Sequence, residues 1–167
     1  KENKNIFMFS ERQKMDDFLL YISLAVLSVV NMILYRFQEE KDLLFFNISI
    51  LFLVILFVIF KVLRLETKFY KEGISYRFFP WHLRPKNIEW KNIESITFKN
   101  IRPLRDYGGY GIRYRYNTWA YIMKGNQAIV IKSRHQVYQI LLGISNKEKV
   151  MQALKQYKPG NVNILEK

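Results

Sequence analysis

The chain has no cysteine, only two histidines, few glycines and prolines, and about half as many acidic as basic residues. Each shortage closes off a class of chemistry. Without Cys there is no disulfide and no Cys-based zinc or redox site. His82 and His135 lie far apart in sequence, with no neighbouring carboxylate or second ligand at metal spacing. They read as exposed or hydrogen-bonded structural residues, and neither a metal nor another cofactor is expected. The Gly-rich run Gly108-Gly109-Tyr110-Gly111 lacks the Gly-Lys-Ser/Thr end of a phosphate loop and does not open a helix, so it reads as a turn. Acidic residues are thinly spread after residue 61 and form no evident acid/base pair, so the chain is not expected to be an enzyme.

What the chain does have is two apolar runs, Phe18 to Tyr35 and Leu43 to Phe60, separated by the polar stretch 36–42. Each is 18 residues long without a charged side chain. At about 1.5 Å per residue that is roughly 27 Å of helix, close to the ~30 Å thickness of bilayer hydrocarbon. Both are read as membrane spans, and the short link makes them an antiparallel hairpin. Of the 27 Lys and Arg, residues 1–17 hold 4, the link 2 and residues 61–167 the other 21. That asymmetry predicts a two-span protein of the inner or cytoplasmic membrane, with the link outside and both termini cytoplasmic. The first run is too long for a signal-peptide core and lacks a small-residue cleavage site, so it is expected to stay in the mature chain.

Asn31 and Asn47 are equidistant from Glu39 at the centre of the link and fall at equal depth in such a hairpin. They either bond each other across it or sit near the headgroups and bond water. With no acidic or basic residue inside either run, no proton or ion path is expected.

Residues 1–17 form a leader whose cluster Ile6-Phe7-Met8-Phe9 either lies on a surface or adds a strand edge. From Leu65 the pattern becomes strand-like. Leu65–Tyr70 and Ile74–Phe79 flank the turn Lys71-Glu72-Gly73. Short strands follow at Ile88–Trp90 and Ile93–Lys99, then a long loop from Asn100 to Gly111. Strands are expected again at Ile112–Tyr116 and Trp119–Met123, the latter turning at Gly125-Asn126 into Ala128–Lys132. Gln136–Leu142 makes the last strand. Ser145-Asn146-Lys147-Glu148 matches a capping box, and Val150, Ala153, Leu154 and Tyr157 follow at helical spacing. The fold class expected is thus a membrane α-hairpin over residues 18–60, then a small, mainly antiparallel β barrel or sandwich over 65–158 with one C-terminal helix, and a tail at 159–167.

The tract Ile88-Glu89-Trp90-Lys91-Asn92-Ile93-Glu94-Ser95-Ile96, with Leu141-Leu142-Gly143-Ile144 leading into the last helix, resembles the bacterial pleckstrin-homology-like domains that follow a two-helix membrane hairpin. The resemblance implies a membrane-tethered, non-enzymatic domain. It carries no phosphoinositide site here, because the turn that would hold one is only Lys71-Glu72-Gly73.

The remaining feature is a basic, aromatic surface. Arg84, Lys86, Arg102, Arg105, Arg113 and Arg115 lie in or beside the segments 80–87 and 100–111, together with Trp81. Alternation predicts Tyr114 and Tyr116 inward and both neighbouring Arg outward. The positive charge serves orientation and solubility beside an anionic leaflet, or contacts anionic headgroups with Trp81 in the interface, or contacts an acidic protein partner. Nucleic acid is the weakest reading. Two functional classes follow: an interaction or scaffold module, alone or as a homo-oligomer, and an accessory subunit of a membrane transport or export assembly.

Overall fold

The structure, a computed structural model, describes residues 7–15, 17–37, 43–157 and 162–166. The chain divides into two compact units, one formed by Lys1–Lys14 with Arg64–Lys167 and the other by Met15–Leu63.

The second unit holds two helices, α1 (Asp17–Phe37) and α2 (Leu43–Val62). They form because the sequence offers long runs of Leu, Ile, Val and Phe without Gly or Pro. Tyr35 packs on Phe46 with ring centroids 4.5 Å apart, Tyr21 lies 6.5 Å from Phe57, and Lys61 sits over the Tyr21 ring. These contacts make the pair the antiparallel hairpin expected. The membrane expectation, however, is corrected. Among the described residues no helix is long and apolar enough to cross a membrane. The two-span reading, the membrane localisation and the topology built on it are therefore withdrawn. What the hairpin does show is exposed apolar side chains, among them Leu27, Val30, Phe52 and Val54.

Of the two readings of Asn31 and Asn47, the bond between them is not the one formed. Asn47 is exposed, and Asn31 Oδ1 accepts a hydrogen bond from Ser49 Oγ at 3.3 Å. Residues two apart on a helix point about 200° from each other, so position 49 meets the neighbouring helix and position 47 does not. The 38–42 part of the link lies outside the described residues.

The β unit contains two sheets. The first has β1 (Phe7–Lys14), β2 (Arg64–Tyr70), β3 (Gly73–Phe79) and β4 (Lys86–Glu89), in that order and all antiparallel. The second is built from β5 (Ile93–Asn100), β6 (Gly111–Arg115), β7 (Thr118–Ile122), β8 (Gln127–Ser133), β9 (Gln139–Ile144) and β10 (Asn163–Glu166). Its spatial order is β10-β5-β8-β9-β7-β6. A short helix α3 (Pro103–Tyr107) lies between β5 and β6, and α4 (Lys147–Tyr157) follows β9. Two sheets of strands with helices make this unit a β-sandwich-like fold.

Several details follow directly from residue type. β2 alternates, burying Leu65, Thr67 and Phe69. At the β2–β3 turn Gly73 is required, because a Cβ there would collide with the Ile88 carbonyl oxygen of β4. Trp90, in a 3-10 turn after β4, is buried and donates from Nε1 to Tyr70 O at 3.0 Å, so it pins the end of that hairpin. Val150, Ala153 and Leu154 bury one face of α4, while Asn146 Oδ1, rather than the Ser145 hydroxyl expected, accepts from the Lys149 N–H at the helix start. The core is completed by Ile93, Ile96, Ile129, Ile131 and Leu141, each worth about 1.5–3 kcal/mol of transfer free energy.

Of the two readings of the leader, the strand edge is the one formed: β1 pairs with β2 from Lys14↔Arg64 to Phe7↔Tyr70. The structure departs from expectation in three places. The expected long loop contains α3, with Pro103 at its start and Gly108 in the left-handed region (φ 73°) at its end. The expected tail forms β10, parallel to β5. Finally, the Gly125-Asn126 turn reverses the chain without pairing β7 and β8, because β9 lies between them, antiparallel to β8 and parallel to β7. β9 is buried from Ile140 to Ile144, and a strand apolar on both faces takes a central place in its sheet. That sheet is consequently mixed, while six of the eight strand pairings of the unit are antiparallel, as expected.

Candidate functional site

A cleft of about 750 Å³ opens on the β unit. Tyr76 of β3, the turn residues Trp81 and His82, and Lys86 and Ile88 of β4 line it, together with Ile112 of β6, Trp119 and Tyr121 of β7, Tyr138, and Ile140 of β9. Its floor is made by two tyrosine rings, Tyr76 and Tyr121, with centroids 5.1 Å apart, and by His82 at 5.3 Å from Tyr121. Burial pushes both phenols above their ordinary value, further so for Tyr76 through its neighbours Tyr121 and Tyr138. They remain neutral and serve as hydrogen-bonding groups on an apolar floor.

His82 is fixed in the cleft. Its Nδ1 accepts from the Phe78 N–H at 3.4 Å, and its own backbone N–H donates to Phe78 O at 2.8 Å. Burial, and then the charge of Lys86, hold its pKa below the ordinary 6.5, so near neutral pH the ring is uncharged. Trp81 packs edge-on against Phe78 and stays exposed. The far wall is held by the β6–β7 hairpin, whose turn residues Tyr116 and Asn117 both have positive φ (51° and 55°). Asn117 Nδ2 donates to Val137 O, and Gln139 N–H donates to Asn117 O, which fixes the hairpin tip beside the 134–138 segment.

The six basic residues singled out in the sequence are all exposed. Lys86 lines the cleft beside Trp81. Arg84 sits in the turn between them. Arg102 and Arg105 belong to the α3 segment, where Asp106 Oδ2 accepts from the Arg102 backbone N–H at 2.8 Å. Arg115 Nη1 reaches α3 and donates to Arg105 O at 3.2 Å and Asp106 O at 3.0 Å, with its guanidinium over the Tyr116 ring. Arg113 Nη1 donates to Ile112 O at 3.2 Å. Among the described ion pairs, none joins any of these six to a carboxylate.

Tyr114 and Tyr116 are not inward: they are 57% and 74% exposed. Alternation does separate the tyrosines from the arginines, since Ile112 faces the cleft and Tyr114 packs against Trp119 at 4.9 Å. β6 is the last strand of its sheet, however, and leaves that face uncovered. Sequence reasoning missed the cleft because its rings come from four separate segments. His135, the other histidine, is exposed, and its backbone N–H donates to Ser133 Oγ.

No family model matches the chain, and no curated protein matches it. Among solved structures it is similar to a chain of "Structure of the Spt16D Pob3N heterodimer", at 11% identity and a TM-score of 0.39. The likeness covers 63% of this chain and 46% of that one, so this chain spans about half the length of that relative, and at this score it carries no weight on function.

Proposed function

We propose that the β unit is a non-enzymatic interaction module whose ligand surface is the aromatic cleft, and that its ligand is an acidic protein segment. The observation that carries this reading is the cleft itself: an open space walled by Trp81, Trp119 and Tyr138, floored by neutral phenols and a neutral imidazole, with Lys86 at its edge. Exposed Trp and Tyr around a concave site supply large rigid contact area at small entropic cost, and the adjoining cations select for carboxylates. The pleckstrin-homology-like resemblance fits a binding role rather than a catalytic one.

Photo-crosslinking tests it. A photoreactive phenylalanine analogue placed at Tyr138 or Trp81 of the full chain, in cells, is expected to form discrete protein adducts. The same group at Lys124, exposed and outside the cleft, is expected to form few. Adduct yields at 81 and 138 no higher than at 124 would contradict the proposal.

A further inference from the structure

β6 brings Ile112 to the cleft and ends its sheet. β7 pairs with β6 on one side, and among the described residues no strand lies on the other. The hydrogen-bonding state of that edge can be read from the turn. Tyr116 and Asn117 form a two-residue turn with positive φ at both positions, so the flanking pair Arg115↔Thr118 is the one that exchanges backbone hydrogen bonds. Alternation then makes Arg113↔Ala120 a bonded pair, and Tyr114↔Trp119 and Ile112↔Tyr121 non-bonded pairs. The closeness of the Tyr114 and Trp119 rings agrees with this, because side chains approach most in non-bonded pairs. The backbone N–H and C=O groups of Ile112 and Tyr114 therefore point outward. Independently, the Ile112 carbonyl is the one that the Arg113 guanidinium reaches round to bond.

We infer that β6 receives an added strand: an extended segment in which acidic and apolar residues alternate, lying along the β6 edge at the mouth of the cleft. The two faces of β6 dictate the pattern. Ile112, Tyr114 and Trp119 lie on the cleft face, so every second residue of the added strand meets an apolar, aromatic wall. The intervening residues fall on the face of Arg113 and Arg115, which favours carboxylates. The same two arginines argue against a second copy of this edge, since like charges directly across a strand pair repel. This inference rests on the cleft reading above and names the manner of binding.

Three seven-residue peptides test it against the full chain, with the fluorescence of Trp81 and Trp119 as readout: one alternating Glu and Val, and two copies N-methylated at either the Val or the Glu amides. The third tryptophan, Trp90, is buried away from the cleft lining. A strand added at one edge bonds through alternate amides only. One methylated copy should therefore lose about tenfold or more in affinity while the other keeps it: the Val-methylated copy for an antiparallel strand, the Glu-methylated copy for a parallel one. Equal affinity of all three would overturn strand addition while leaving the cleft as a side-chain binding site. No binding of any peptide would overturn it too, and the crosslinks at positions 81 and 138 would then decide the cleft reading separately.

Discussion

Two clusters of arginine stand on the β unit and are used in opposite ways. On the first sheet Arg12, Arg64 and Arg77 surround Glu66, with N···O distances of 3.1, 2.9 and 2.6 Å. The carboxylate is largely covered, and Arg64 is stacked on Phe79. On the second sheet Arg113 and Arg115 bond backbone carbonyl oxygens and a ring face, with no carboxylate among their described partners. The lesson is that positive charge on this chain is not one property. Three cations are consumed in holding β1, β2 and β3 together, whereas those near β6 keep charge available for an anion.

Removing the centre of the first cluster should have the largest effect. Glu66→Leu leaves three arginines facing each other and should cost about 2–3 kcal/mol, since hydrogen bonds to charged groups are worth more than neutral ones and the remaining charges repel. Thermal unfolding measures it. The same residue sets a pH dependence. Burial opposes its charge, but the hydrogen bond and charge of Arg77, helped by Arg64 and Arg12, hold its pKa below the ordinary 4.5. A carboxyl depressed in the folded state stabilises above its unfolded pKa, and that contribution is lost as pH falls from about 4.5 through the folded value. The native chain should therefore lose more stability across that acid range than Glu66→Leu does.

Arg115→Ala should have a smaller effect, about 1 kcal/mol, through two lost bonds to exposed α3 carbonyls. Hydrogen exchange should rise over 103–107 with little change in β5 or β8. A uniform rise across the sheet would mean that Arg115 supports more than α3.

How much of this was legible beforehand differs by element. The β2–β3 hairpin and α4 could be read because alternation or helical spacing lies within one short stretch, with Gly73 and Asn146 as local punctuation. The two helices of the hairpin could be read from their apolar runs, although their bilayer assignment could not be kept. β1 could be read only as one of two alternatives and β10 not at all, because each is defined by a partner far away in sequence, Arg64–Tyr70 and Ser95–Phe98 respectively. α3 carried a usable signal, Pro103 followed by Gly108, and the Gly-rich run beyond it drew the whole stretch toward a loop reading. For the candidate site, the exposure of all six cations was legible residue by residue. Their division between cleft, turn and α3 was not, since it depends on which distant segments the tertiary fold brings together.

The smallest effect on stability is expected at Arg113, whose replacement by Glu should change the unfolding free energy by no more than about 0.5 kcal/mol. That makes it the most direct test of the contrast between the two clusters. Affinity for the alternating Glu/Val peptide should fall about tenfold in Arg113→Glu, and replacing the peptide's Glu residues by Lys one at a time should restore it at one position well above the others. Recovery that is equal at every position would reflect net charge alone, and no loss on charge reversal would contradict the account of β6 as the edge that takes an acidic strand.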